Sequence, residues 1–95
     1  MQKDTTVLEL LDRLKSVLDF DLIEIVDYWE ADLCAIGLKT GNKLVYINTF
    51  NPNGTYDYDL ELLDPHNKES YKVINEGQGV SEALLTSVIK EYLFY

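Results

Sequence analysis

Three carboxylates at every second position are the feature of this sequence that comes closest to a chemical site. Asp57, Asp59 and Glu61 lie within residues 56–61, where acidic residues alternate with tyrosine or leucine. In a β-strand this spacing places the three side chains on one face, about 6.6–7 Å apart. Such a stripe could hold a metal ion, share a proton in acid–base catalysis, or attract a basic protein.

The surrounding sequence favours binding over catalysis or metal coordination. Neighbouring charges at this spacing in water repel by only about 0.6 kcal/mol, so an exposed acidic stripe needs no ligand to persist. Residues 51–54 followed by Asp57 lack the ligand pattern of a calcium loop. His66, the one histidine, lies in a predicted turn. Cys34, the one cysteine, is expected to be an inert core thiol near Asp27, whose charge raises the pKa of that thiol. The sequence therefore predicts no catalytic residue, metal site or cofactor, and no enzyme activity.

The charge of the chain points to the same class of partner. Seventeen acidic and eight basic residues give a formal net charge of −9, and residues 19–32 contain several acids and no base. This charge repels phosphate backbones and anionic membranes, so we expect no direct nucleic-acid partner, no membrane partner, and a basic protein as ligand. A lone cysteine cannot form an intramolecular disulfide, and no apolar run is long enough for a signal peptide or a span. A cytoplasmic location is therefore expected.

Two amphipathic helices are predicted, one near each end of the sequence. At 95 residues it is expected to form one domain over residues 1–95. Leucine and valine recur at three- and four-residue spacing over residues 6–18, and Thr6 with Glu9 has the spacing of a capping box. The same apolar period predicts a second helix over 82–93 with Ser81 as its N-cap. Residues 77–79, Gly-Gln-Gly, are interpreted as a hinge loop before this helix.

β-branched and aromatic residues between the helices predict antiparallel strands. They cluster at 23–29, 33–38, 44–50 and 55–63, with turn signals at 41–42 and 51–54. A short fifth strand over 71–75 and a helix over 22–36 remain alternatives to this assignment. The predicted fold is α+β: an N-terminal helix, an antiparallel meander of four or five strands, and a C-terminal helix, with both helices on one face of the sheet.

The turns fix which side chains share a face, because directly opposed residues point to the same side of a sheet. A loop at 41–42 pairs Leu38 with Val45, and a four-residue loop at 51–54 pairs Phe50 with Thr55. A turn near residues 30–31 pairs Ile25 with Ile36. The helix-covered face is then predicted to hold Ile23, Ile25, Ile36, Leu38, Val45, Ile47, Tyr58, Leu60 and Leu62. The opposite face is predicted to have no covering element.

The uncovered face is the candidate interaction surface, because it combines acids with the aromatic side chains that dominate interface energetics. Its candidate residues are Glu24, Tyr28, Tyr46, Asn48, Phe50, Asp57, Asp59 and Glu61. Trp29 is expected to be in the core rather than at this surface. In a second hypothesis the chain forms a homodimer that buries Leu33, Leu44, Tyr46 and Phe50 between two such faces. A carboxylate metal-dependent protein is the third.

In size, acidity and tyrosine usage the chain is similar to immunity proteins, which neutralise bacterial toxins, and to other small acidic bacterial α+β domains. Residues 56–61, Tyr-Asp-Tyr-Asp-Leu-Glu, carry most of this likeness. The resemblance implies an inhibitor that masks a basic surface on a partner protein.

Overall fold

The computed structural model describes residues 2–67 and 70–95, and only the backbone at Pro52. Its elements in chain order are helix α1 (Thr5–Lys15), a short 3-10 helix (Phe20–Leu22), strands β1 (Glu24–Val26), β2 (Ala35–Thr40) and β3 (Lys43–Asn48), a second 3-10 helix (Pro52–Gly54), strands β4 (Tyr56–Leu63) and β5 (Tyr71–Val80), and helix α2 (Glu82–Phe94). This order confirms the predicted α+β fold, including its fifth strand.

The five strands form one antiparallel sheet in the order β1-β2-β3-β4-β5, with both helices packed over one face. Leu10 and Leu14 of α1 and Leu85 and Ile89 of α2 are almost completely buried. They pack in one hydrophobic cluster with strand residues that include Ile36, Leu38, Val45, Ile47 and Leu60. Within the described residues, no helix has the length and apolar content that a membrane crossing requires.

The two central hairpins have the predicted register. Leu38 faces Val45 across the first turn, where Gly41 adopts a φ of +58°, a conformation that most other residues disfavour. Asn48 faces Asp57 across the loop at 51–54. The pairing therefore places the acidic alternation of β4 on the face away from the helices, as the turn lengths predict.

The pairing of the first two strands differs from the prediction. Ile25 faces Leu38 rather than Ile36, because the connection between β1 and β2 occupies residues 27–34 instead of a tight turn. Asp32 stabilises this longer connection: its backbone N–H donates to the Trp29 carbonyl at 2.9 Å, and its carboxylate accepts from the Cys34 N–H at 3.1 Å. A shift of two residues preserves the face of each side chain. The helical alternative for residues 22–36 is wrong.

Helix α1 is shorter than the predicted 6–18 and is capped differently. Asp4 is the N-cap, and it makes no side-chain cap hydrogen bond. The Thr6 hydroxyl instead pairs with the Thr49 hydroxyl at 3.0 Å, so the capping box is not formed. At the other end, the Ser16 hydroxyl donates to the Arg13 carbonyl at 2.6 Å, a local bond that competes with helix continuation. Helix α2 begins as predicted, with Ser81 accepting from the Leu84 N–H.

Strand β5 is twice the predicted length and contains the residues interpreted as a hinge. Gly77, Gln78 and Gly79 belong to the strand, and its pairing with β4 is interrupted by two irregularities. The ring of Tyr58 occupies the place where a side chain on Gly77 would start. Gly77 is therefore part of a close approach between β5 and the Tyr58 ring, not of a hinge.

The side of the sheet that was predicted to be uncovered is partly covered. Ala35 and Leu44 have exposed fractions of 0% and 1%, while Leu62, predicted to be in the core, is exposed. Residues of the connection at 27–34 on one side and of the long strand β5 on the other line a groove on this face. Trp29, predicted to be a core residue, lies in that connection with 61% of its surface exposed.

Candidate functional site: an acidic groove

A groove with a cavity volume of about 980 Å³ lies on the sheet face opposite the helices. We call it the acidic groove and define it by its lining residues: Tyr28, Trp29, Asp32, Tyr46, Asn48, Asp57, Tyr58, Asp59, Glu61, Leu63, Tyr71, Val73, Glu76, Gly77 and Gln78. Strands β3 and β4 form its floor. The volume is within the range of pockets that hold small ligands or parts of a partner protein.

The first wall is the 27–34 connection, which the N-terminal segment holds in place. The Lys3 ammonium has no exposed surface and forms a 2.6 Å ion pair with Asp27. It also donates to the carbonyls of Trp29 at 3.2 Å and Asp32 at 2.7 Å. The Asp4 N–H adds a bond to the carbonyl of Leu33. A buried cation therefore fixes the loop that presents the Trp29 ring to the groove.

The second wall is strand β5, and Asp57 connects it to the floor. One carboxylate oxygen of Asp57 accepts from the Asn51 side-chain amide at 2.6 Å and from the Gly79 N–H at 2.9 Å. These two bonds tie the 51–54 loop and the end of β5 to β4. Asp57 lines the groove, but its main contribution is to hold the wall, which makes it a structural member of the acidic stripe.

The floor contains a nearly buried carboxyl residue and a buried hydroxyl for which the described residues supply no hydrogen bond of good geometry. Glu61 has an exposed fraction of 9%, and the pKa of its carboxyl is raised by burial and then by Asp59. Residues 2–67 and 70–95 supply no hydrogen bond or cation that lowers it. The Tyr46 hydroxyl oxygen is buried and has no hydrogen-bond partner of good geometry in the described part of the chain. Natural proteins leave few such groups unsatisfied, because each costs about 1–3 kcal/mol.

The electrostatic character of the groove is uniform. Among residues 2–67 and 70–95, its lining carries five carboxylates, those of Asp32, Asp57, Asp59, Glu61 and Glu76, and no lysine, arginine or histidine. Burial raises the pKa of Asp59, and the charges of Glu76 and Asp57 raise it further. Burial is also the main reason for the raised pKa of Tyr46, followed by the charges of Asp32, Asp27 and Glu61. A cation entering the groove would relieve this repulsion.

The structure brings together six of the eight candidate residues predicted from the sequence. Tyr28, Tyr46, Asn48, Asp57, Asp59 and Glu61 all line the groove. Glu24 does not, because it lies on the edge strand β1, where its carboxylate pairs with Lys39 at 3.4 Å. Phe50 does not either: it follows the end of β3 and points into solvent with an exposed fraction of 78%.

Sequence reasoning missed the walls of the groove. Trp29 was assigned to the core, although its position beside Tyr28 and the acids of residues 27–32 was a usable signal for a surface role. Glu76 and Tyr71 both line the groove although their numbers differ in parity, because the irregular pairing of β5 between Val73 and Asn75 switches the side that successive residues face. No alternation pattern in the sequence reveals that switch.

The remaining chemically active residues lie outside the groove. The Cys34 thiol donates to an Asp4 carboxylate oxygen at 3.1 Å, and this bond, followed by burial, raises the pKa of the thiol. The pKa of the thiol is raised, as predicted, but the responsible carboxylate is Asp4 rather than Asp27. Cys34 is half-buried rather than in the core. His66 is an exposed turn residue, as predicted. The described residues contain no group of three or more side chains placed to hold a metal ion.

The arrangement is suited to binding a cationic group between carboxylates and aromatic rings. Comparison with protein-family models, with curated proteins and with solved structures gives no significant match for this chain.

Proposed function

We propose that this protein is a binding module that engages a basic protein through the acidic groove, in the manner of an inhibitor that masks a basic surface. The observation that carries the proposal is Glu61, a nearly buried residue whose carboxylate has no partner among the described residues, in a groove whose described lining has five carboxylates and no cationic side chain. A free protein gains no stability from this arrangement. A basic ligand supplies the charge that these groups lack.

The walls and rim of the groove supply the apolar part of such an interface. Trp29, Tyr28 and Tyr71 line it with exposed fractions of 61%, 54% and 56%. Tryptophan and tyrosine are enriched among the residues that dominate binding energy, since they bury a large area at little cost in conformational entropy. Exposed aromatic rings beside the nearly buried Glu61 therefore favour a protein ligand over a lone inorganic cation.

The sign of the charge limits the partner. The whole chain carries −9, so its field attracts a basic protein and accelerates their encounter at low ionic strength. The same field repels nucleic acid, which the module could reach only by covering a protein that binds it. We place this function in the cytoplasm, where the single Cys34 is expected to stay reduced.

The proposal is tested with a peptide that alternates lysine and glycine, and with its glutamate counterpart. We expect the lysine peptide to bind, with a Kd that rises about tenfold or more between about 50 and 300 mM NaCl because exposed charges are screened. The groove variant Asp59→Asn/Glu61→Gln/Glu76→Gln should weaken binding about tenfold or more. Asp57 is left unchanged because it ties β5 to the floor.

A matched control removes the same charge elsewhere. Glu9→Gln/Asp12→Asn/Glu91→Gln neutralises three exposed carboxylates on the helices, so both triple variants have a net charge of −9 + 3 = −6. We expect the control to bind within about twofold of the original chain. Equal weakening in both variants would mean that net charge, and not the groove, attracts the peptide, and the proposal would then be wrong.

Self-association is a second candidate function, and a different surface now favours it. Strand β5 lies at the edge of the sheet, and Tyr71, Val73 and Ile74 on it are about half exposed. Unpaired edge strands with apolar side chains can pair with a second copy. The dimer expected from the sequence is disfavoured, because Leu44 is already buried within the chain. Sedimentation equilibrium at low and high salt distinguishes self-association from binding of a basic partner. A dimer that persists at both salt concentrations supports pairing through β5.

A further inference from the structure

Tyr46, Asp59 and Glu61 are neighbours on the floor of the acidic groove. Tyr46 on β3 faces Asp59 on β4, and Glu61 follows Asp59 on the same side of β4. Burial raises the pKa of the Tyr46 hydroxyl most, and the charges of Asp32, Asp27 and Glu61 raise it further. Only the backbone N–H of Trp29 acts in the opposite direction.

Resting on the proposed function, we propose that this part of the groove binds one arginine side chain of the basic partner. Its guanidinium would lie between the Glu61 carboxylate and the Tyr46 hydroxyl, within reach of Asp59, with the Trp29 ring at the wall. The pocket is therefore a specificity determinant, in which arginine is preferred over lysine.

Guanidinium fits the chemistry of these groups better than ammonium does. It is planar and presents five N–H donors in a fixed fork, whereas an ammonium has three donors around a compact point charge. The Glu61 carboxylate and the Tyr46 hydroxyl belong to two strands, and neither has a hydrogen-bond partner of good geometry among the described residues, so a fork of donors can satisfy both at once. Guanidinium is also more weakly hydrated than ammonium and stacks on aromatic rings. A site with a nearly buried carboxylate and the only tryptophan of the chain at its wall matches both properties.

A metal ion is a poorer occupant. Hard cations such as calcium take six to eight oxygen ligands at close range. Within residues 2–67 and 70–95, the acidic residues nowhere converge as a group of three or more that could hold a metal ion. Asp59 and Glu61 are two residues apart on one strand, a spacing of about 6.6–7 Å that suits an extended organic cation better than a single ion.

The test exchanges the central lysine of the lysine–glycine peptide for arginine or for citrulline, which keeps the shape of arginine but is neutral. We expect arginine to lower the Kd roughly fivefold relative to lysine, and citrulline to raise it above the lysine value. In Glu61→Gln, arginine and lysine peptides should bind with equal Kd. In Glu9→Gln, a substitution on the exposed face of α1, the arginine preference should remain.

The outcomes separate this inference from the function on which it rests. If the lysine peptide binds in the groove but arginine brings no gain, or if the gain survives in Glu61→Gln, the arginine pocket is wrong and the basic-partner function stands. If none of the peptides binds, both are wrong. Unfolding of Glu61→Gln by urea is followed in parallel, so that a loss of arginine preference is read only in a folded variant.

Discussion

The two faces of the sheet differ in how completely their side chains are satisfied. On the helix-covered face, Ile36, Leu38, Val45 and Ile47 have no exposed surface and pack into one apolar cluster. On the groove face, Glu61 is nearly buried but has no partner in the described part of the chain, and the pKa values of Asp59 and Glu61 are both raised by burial and by neighbouring acids.

The difference indicates which face stabilises the fold and which face is available for binding. Burial of apolar area contributes roughly 25 cal/mol per Å², so the helix face supplies most of the stability. Burial of a carboxyl group such as Glu61 without a compensating cation costs free energy, so the groove face lowers the stability of the free protein. A stability cost confined to one face is typical of a surface that a ligand completes.

The largest expected effect comes from the helix-covered face. Ile36→Ala should lower the free energy of unfolding by about 3 kcal/mol, because it removes a fully buried side chain and leaves a cavity among well-packed neighbours. Urea unfolding followed by circular dichroism measures this loss. A loss below about 1 kcal/mol would contradict the assignment of this face as the main source of stability.

The buried lysine beneath the groove wall should have the next largest effect. Lys3→Ala removes the ion pair with Asp27 and both bonds to the 27–34 connection, so we expect a loss of about 2 kcal/mol and weaker peptide binding. Amide hydrogen exchange should accelerate at Asp32, whose N–H donates within this connection. Lys90→Ala, at an exposed position on α2, is the control and should leave exchange at Asp32 unchanged.

The sequence predicts the floor of the groove well and its walls poorly. Short turns at 41–42 and 51–54 fix the register of β2, β3 and β4, so Asp59 and Glu61 could be placed on the face away from the helices. The wall at 27–34 depends on Lys3, which donates to the carbonyls of Trp29 and Asp32, 26 and 29 positions further along the chain. No local sequence pattern predicts these two bonds. The second wall depends on a pairing irregularity in β5, and local alternation does not predict which strand will accommodate one.

A stabilising substitution on the groove face would sharpen the contrast between the two faces. The pKa of Glu61 in the folded state is raised above its ordinary value of 4.5. Between pH 4.5 and the raised pKa, the folded protein therefore binds more protons than the unfolded chain, and the free energy of unfolding falls as the pH rises through this range. Glu61→Gln should therefore raise the free energy of unfolding at pH 7 by about 1 kcal/mol, with little difference at pH 3. Glu9→Gln is the control, and a destabilised Glu61→Gln would show that Glu61 has a structural partner.

A carboxylate on the helix side should behave in the opposite way. Glu82 pairs with Arg13 at 2.8 Å, and this bond lowers the pKa of Glu82, so its contribution is present above pH 4.5 and is lost as the pH falls through the lowered value. Both side chains are more than one third exposed, which limits the pair to about 0.5 kcal/mol. Urea unfolding of Glu82→Gln should show a small loss at pH 7 that disappears at acidic pH. A higher free energy of unfolding for Glu82→Gln at pH 7 would contradict the expected difference between Glu82 and Glu61.

The most direct test of the groove as a cation-binding site is the carboxyl carbon titration of Glu61 by NMR, without and with the lysine–glycine peptide at saturation. We expect a midpoint above 4.5 in the free protein, since burial and the charge of Asp59 raise the pKa, and a clearly lower midpoint in the complex, since the bound cation favours the ionised form. A midpoint that does not move when the peptide is bound would contradict the proposed role of the groove.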